Sequence, residues 1–253
     1  LSGNNSFKRY SPKEYVAFFK NKKYGEYNGR AAKILAIEVI KDIATAKAKS
    51  EATLCEKLGP YQVVADTLLS RIPQGQHPWV RDVTISNSTF GNRYVQVAAP
   101  HLGVHSLGGG IGQGIAMGIG AAIGAGDTRT VTLLGDGGAM LGIAELITAV
   151  DESANVLFLL MNDCAYGVIE NIQDAQYGGR RHYSKLKGYD FGKLCDAIGM
   201  QYLKVDDIDT FEASFDQAMS TNAPMVLEVD MVNIGPFAES FSGPPAGAAG
   251  NKV

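Results

Sequence analysis

Two hydrophobic runs in the middle of the chain are short and unbroken. Val131-Thr132-Leu133-Leu134 is one, and the stretch from Val156 to Met161 is the other. An apolar run of this length bounded by turn residues reads as a buried strand. Between them, residues 141–150 carry a helical pattern. The three elements make a βαβ unit, whose strands must run parallel. The same reading predicts strands at 80–86, 201–205 and 224–230. It predicts helices at 30–49, at 51–71 with an interruption near Gly59-Pro60, from 166 toward 173, at 190–198 and at 210–219. Strand and helix alternate throughout, which predicts an α/β fold, a parallel sheet with helices on both faces. The expected organisation is a helical arm or linker over 1–56, a main domain over 57–232 and an arm or tail over 233–253.

The ends read differently. Ser11-Pro12-Lys13-Glu14 has the form of a helix start, with Ser11 as N-cap and Pro12 in the first turn. Tyr10, Tyr15, Phe18, Phe19, Tyr24 and Tyr27 surround it, aromatics without a core of their own. The segment from Leu102 to Gly126 has no Asp, Glu, Lys or Arg and contains Gly110, Gly114 and Gly118 at four-residue spacing. A membrane helix has such spacing, but so many glycines among few large apolar residues would insert weakly. A dinucleotide GxGxxG fits in no register, because Gly110-x-Gly112 is followed by Ile115. The remaining reading is a glycine-rich loop entering a buried Gly/Ala helix.

Composition narrows the picture. The chain has 253 residues, 45% hydrophobic and 19% charged, with 30 Gly. Its low charged fraction suggests close-packed surfaces, as in an oligomer. It begins with Leu1, which suggests a piece of a longer chain. Cys55, Cys164 and Cys195 are odd in number and form no CxxC, which argues for a reducing compartment such as the cytoplasm. Residues 1–50 hold 11 Lys+Arg against 4 Asp+Glu, and the remainder 12 against 22. A basic start could meet nucleic acid. The interleaved Glu14, Glu26 and Glu38 favour a solvated helix face instead, so neither nucleic acid nor a membrane is expected as partner.

The chemistry concentrates where the two central strands end. Gly135-Asp136-Gly137-Gly138 follows the first and Asn162-Asp163-Cys164-Ala165-Tyr166-Gly167 the second. Parallel neighbours bring Asp136 and Asp163 to one sheet edge, where open α/β sheets bind ligands. Two carboxylates about 4 Å apart repel by roughly 4 kcal/mol at an effective dielectric near 20. A shared proton or a hard divalent cation removes that cost. Gly137 and Gly138 allow close backbone approach, and the helix after them offers its positive end to an anion. The residues alone therefore suggest a magnesium–diphosphate site.

Gly135-Asp136-Gly137 followed by Asn162-Asp163 resembles the signature of the thiamine-diphosphate (ThDP) enzymes. The likeness is to their 2-oxo acid decarboxylase and acetohydroxyacid synthase branch, including benzoylformate decarboxylase, and covers about residues 57–230. It implies ThDP and Mg²⁺ as cofactors, with Asp136, Asp163 and the Ala165 carbonyl as metal ligands. Asp163 departs from the pattern, since many members carry Asn there. The resemblance further implies diphosphate contacts from Ser88 and Thr89 and from the stretch containing Gly137, Gly138, Tyr166 and Gly167. It maps the residue that props the cofactor's two rings onto Ile111 and the carbonyl that holds the aminopyrimidine onto Gly109. His105 is a candidate substrate contact. Arg180 and Arg181 lie in a basic loop that reads either as a lid or as solvated surface. The catalytic Glu of the family belongs to a separate pyrimidine-binding domain, expected outside this chain. That implies a partner domain or subunit and a homodimer or homotetramer acting on a small 2-oxo acid. The implied reaction is decarboxylation of a benzoylformate-like 2-oxo acid, with acetolactate-type carboligation second. A non-catalytic binding module is the alternative of another class.

Overall fold

A computed structural model of the chain describes residues 29–240, with side chains from residue 41 onward. The expected helix start at Ser11, the aromatic cluster around it and the chain beyond 240 lie outside the described residues. The chain divides into two units, residues 1–51 and 52–253. The described part of the first is helical, the beginning of α1 (Gly29–Leu58). The pattern predicts a break near residue 50, but the helix runs on to Leu58. No Gly or Pro interrupts it until Gly59-Pro60, where a single 3-10 turn forms.

The second unit is built on six parallel strands: β1 (Trp79–Arg81), β2 (Gly103–His105), β3 (Thr130–Gly135), β4 (Val156–Asn162), β5 (Gln201–Val205) and β6 (Met225–Asp230). Their order is β2-β1-β3-β4-β6-β5. Every residue of β3 and β4 is buried. A parallel sheet covered on both faces has no polar side, so its strands read as unbroken apolar runs. The helices are α2 (Gln62–Arg71), α3 (Gly114–Ala125), α4 (Asp136–Leu141), α5 (Glu145–Asp151), α6 (Gly167–Tyr177), α7 (Phe191–Ala197), α8 (Phe211–Met219) and α9 (Met231–Ile234). Residues of α2 and α8 form one core with Trp79, Leu133, Leu157 and Leu159. Residues of α3, α5 and α7 form a second with Leu134, Phe158 and Leu160. The two cores lie on opposite faces because successive strand residues alternate. Among the described residues no helix is long and apolar enough to cross a membrane.

Three local differences from the sequence reading matter for the site. First, the strand expected over 80–86 stops at Arg81. The Asp82 carboxylate accepts the N–H of Val83 (2.8 Å), and the chain coils into a π-helical turn, Asn87–Gly91. Secondly, the helix expected at 141–150 begins at Asp136, breaks after Leu141 and resumes at Glu145. Thirdly, the residues after α9 fold back: the Gly235 carbonyl accepts the Tyr61 hydroxyl (2.5 Å). Phe237 lies with its ring centroid 4.6 Å from that of Tyr61.

The glycine-rich segment is a loop entering a helix, with Gly108, Gly109 and Gly112 at positive φ. Asp82, 1% exposed, holds it. Its Oδ2 accepts the N–H groups of Gly112 (2.9 Å) and Gly114 (3.2 Å), and its Oδ1 accepts the Ser106 hydroxyl (3.0 Å). A carboxylate at the start of α3 also meets the positive end of that helix. Beyond it α3 lies close on the sheet. A Cβ at Gly118 would collide with Thr132, whereas one at Gly120 would meet nothing within 4 Å.

Gly118→Ala should therefore cost about 1–3 kcal/mol by forcing α3 off β3. Gly120→Ala should gain roughly 0.5–1 kcal/mol, because it removes backbone freedom from the unfolded chain without a clash. Urea denaturation of the two variants checks the opposite signs. Asp82→Ala leaves four donors without their acceptor. It should lower stability by about 3 kcal/mol or more and increase proteolytic cleavage between residues 107 and 113.

Candidate functional site

The site forms where β1, β3 and β4 end. After β1 the chain order reverses, since β2 lies on one side of β1 and β3 on the other. Such a switch opens a crevice at the carboxyl ends of the strands. The β3–β4 register pairs Gly135 with Met161, so the residues that follow them emerge side by side. Gly135 is extended (φ −103°, ψ 155°) and caps α4, which makes Asp136 the first helical residue. A side chain at Gly135 would run into Thr84, and one at Gly137 into the Tyr166 ring.

The turn after β4 is held by its own side chains. The Asn162 Oδ1 accepts the N–H of Cys164 (3.2 Å), and the Asp163 Oδ1 accepts the N–H of Ala165 (3.2 Å). Cys164 sits at φ 51°, an unfavourable region for a residue with a Cβ. A strap from the loop after α6 closes the turn from outside. Tyr166 donates its N–H to the Ser184 carbonyl (2.7 Å), and Leu186 donates to the Cys164 carbonyl (2.9 Å). This is one antiparallel bridge, Ala165 opposite Lys185. In a bridge of this kind the central residue turns its own N–H and carbonyl away from its partner. The Ala165 carbonyl is therefore directed away from the strap.

Glu170, in the first turn of α6 and buried, anchors that strap. Its carboxylate accepts the Ser184 hydroxyl and pairs with Arg181 and Lys185, each at 3.1 Å. Arg181 also pairs with Asp174. Both carboxylates are on α6, so this arginine is bound to the scaffold on which the loop folds.

The two aspartates share a buried corner, with Lys185 acting on Asp163 from the strap. Asp136 is 1% exposed, and its Oδ2 is buried without a hydrogen-bond partner. Burial, then the charge and hydrogen bond of Asp163, push its carboxyl up to about 7. Burial raises Asp163 as well. Cys164 is raised too, first by burial and then by the surrounding acids, so its thiol stays protonated. A buried polar atom without a partner marks a place where a ligand, ion or water belongs. The donors are two carboxylates and a free backbone carbonyl, all oxygen, which fits a hard divalent cation. Among the described residues no cluster of three or more His, Cys, Asp or Glu could hold a metal ion, so a cation here would have to draw its third protein oxygen from the backbone.

A cavity of about 200 Å³ opens on the pair. Gly109, Ile111, Asp136, Gly137, Gly138, Asp163, Ala165, Tyr166 and Gly167 all line it. The loop carrying Gly109 and Ile111 reaches it because Asp82 ties that loop down. Ser88 and Thr89 are not on its wall. The Thr89 hydroxyl turns inward to the carbonyls of Ile85 and Ser86, each at 3.1 Å. The chain stops being a strand at Arg81, and Thr84 stands on the wall in place of Ser88 and Thr89. Val83, Ile85, Val168 and Ile169 complete an apolar side that the sequence reading did not name. His105 is exposed at the end of β2, opposite Arg81, and does not line the cavity. His77 has a structural place: its Nδ1 lies 2.8 Å from the Arg129 carbonyl, and burial lowers its pKa.

Comparison with known proteins agrees with this geometry. Residues 84–229 match the family model of the thiamine pyrophosphate enzyme C-terminal TPP binding domain. Mitochondrial acetolactate synthase catalytic subunit of Saccharomyces cerevisiae is 27% identical over 105 residues, 42% of this chain and 15% of that protein. Among solved structures, benzoylformate decarboxylase from Polynucleobacter necessarius superposes with a TM-score of 0.60 at 20% identity, covering 66% of this chain and 32% of that one. The ThDP-dependent 4-hydroxybenzoylformate decarboxylase of Rhodococcus jostii RHA1 gives 0.61 at 24% identity, over 68% and 32%. The chain thus spans a third or less of the length of each of these three proteins. With a single model matching more than half of it, the chain belongs to the thiamine pyrophosphate enzymes, of which residues 84–229 form the C-terminal TPP binding domain.

Proposed function

We propose that this chain holds the diphosphate of ThDP through Mg²⁺ and serves decarboxylation of a 2-oxo acid of the benzoylformate kind. The carrying observation is the apposed pair Asp136 and Asp163, with an unpartnered buried oxygen opening onto a glycine-walled cavity. In this reading Asp136, Asp163 and the Ala165 carbonyl hold the cation. The N–H groups of Gly137 and Gly138 and the start of α6 at Gly167 face the phosphates. Among the hydroxyls, we assign Thr84 to the cavity in place of Ser88 and Thr89. Ile111 and Gly109 stand where the rings of the cofactor would be propped and held. Bound ThDP supplies an electron sink that lets a 2-oxo acid lose CO₂. Val83, Ile85, Val168 and Ile169 keep water from that sink. His105, outside the cavity, has a role only if substrate extends past Ile111.

The pyrimidine ring needs a carboxylate that this cavity does not supply. A Glu from a pyrimidine-binding domain or subunit completes the site, in a dimer or tetramer in the cytoplasm. The benzoylformate-type neighbours favour decarboxylation. Acetolactate synthesis is the second reading, favoured by the yeast relative. Product analysis separates them: benzoylformate should yield benzaldehyde and CO₂, whereas acetolactate from pyruvate would select the second.

ThDP binding, followed by titration calorimetry, should require Mg²⁺ and weaken at least a hundredfold in Asp136→Ala. Unchanged binding in that variant would remove the cation assignment. A pH test follows from the raised carboxyl of Asp136, pushed up to about 7 from 3.8. The unfolded chain releases that proton near pH 4 and the folded chain only near pH 7. Metal-free stability should therefore be greatest at the acid end of this window and fall as pH rises through it. Mg²⁺ with ThDP should remove the fall, and so should Asp136→Asn without metal. Melting temperatures between pH 4.5 and 8 check both.

A further inference from the structure

Glu228 lies in β6, 4% exposed, in the middle of a sheet covered on both faces. Two neutral donors hold it. The Asn162 Nδ2 donates to its Oε1 (2.9 Å), and the Tyr202 hydroxyl donates to its Oε2 (2.7 Å). A carboxylate removed from water is costly even when hydrogen-bonded, and an apolar side chain would fill the same place. What Glu228 adds is direction. Both Glu228 oxygens accept here, so the donor end of the Asn162 amide is the one that faces it. With Nδ2 turned to Glu228, Oδ1 must face the other way, and there it accepts the N–H of Cys164. Were the amide reversed, two donors would oppose each other at Cys164. That residue is the one at φ 51°, and it stands between the Asp163 carboxylate and the Ala165 carbonyl.

We infer that Glu228 is a positioning residue for the cation. Acting through Asn162, it fixes the turn that carries two of the three proposed oxygen ligands. The inference rests on the magnesium reading above. Glu228 itself touches neither metal nor cofactor. Tyr202 occupies its second oxygen and leaves the first for Asn162.

The test measures the Mg²⁺ concentration that half-saturates ThDP binding by the full chain, and separately ThDP affinity at saturating Mg²⁺. Glu228→Met lacks the acceptor and should raise half-saturation about tenfold, the scale of a lost partner to a metal ligand. ThDP affinity at saturating Mg²⁺ should stay within about twofold. Glu228→Gln can offer its carbonyl to Asn162 and its amide to the Tyr202 oxygen, so it should keep wild-type half-saturation. Asn162→Ala should match Glu228→Met, and the double variant should be no worse than either alone. Wild-type half-saturation in folded Glu228→Met, or additive effects in the double variant, would overturn the inference. If Glu228→Met does not fold, Asn162→Asp replaces it. That change sets two carboxylates against each other and should weaken Mg²⁺ binding. Adding Glu228→Gln should restore it, and failure to restore overturns the inference. ThDP binding by the wild type that ignores Mg²⁺ would sink the cation reading and this one with it. Mg²⁺-dependent wild-type binding with an unaltered Glu228→Met sinks this one alone.

Discussion

Two buried carboxyl groups pressed together at the end of a parallel strand pair set the terms for this domain. Strand register brings Asp136 and Asp163 to one edge, where burial and mutual repulsion hold the Asp136 carboxyl well above its usual range. The surroundings keep that arrangement: glycines admit Thr84 and Tyr166 at its walls, and a strap seals the turn. A proton shared by the pair relieves the repulsion, and so would a ligand that brings positive charge to oxygen donors.

Buried acids recur in the domain, and each is stabilised differently. Asp82 gathers three backbone N–H groups and a hydroxyl, and joins the end of β1 to the loop before α3. Glu170 takes two cations and a hydroxyl, and holds the strap. Glu228 has an amide and a phenol. Asp136 has an oxygen with no partner. The first three complete their bonding inside the chain and so act as fixings. The last is left for a ligand. Counting bonds per carboxylate thus separates scaffold from site more sharply than burial does, since Asp82 and Asp136 are equally hidden.

The fold was legible because its central strands are unbroken apolar runs, and the family because Gly135-Asp136-Gly137 and Asn162-Asp163 have fixed spacing. What escaped was set by side chains reaching far along the sequence. Asp82 ends β1 by binding its neighbour's N–H and two glycine N–H groups some thirty residues on. Alternation of Val83 and Ile85 with polar residues therefore read as a strand longer than the one that forms. The same coiling puts Thr84, rather than Ser88 or Thr89, on the cavity wall. Glu228 sits among apolar residues in β6 with no local pattern to mark it. Its partner Asn162 is 66 residues away. The interruption at Gly59-Pro60 was legible, whereas the further break near residue 50 has no Gly or Pro to make it, and the helix runs through.

The fold-back after α9 bears on how such a domain is used. Lys57 at the end of α1 accepts the N–H of Glu239 at its carbonyl (3.2 Å), and its ammonium meets the Glu239 carboxylate (2.7 Å). Tyr61, Phe90 and Phe237 pack beneath them. The polypeptide thus enters and leaves the sheet through a single doorway, remote in sequence but shared in space. A module with a common entrance and exit can be spliced into or joined onto other chains without disturbing its interior.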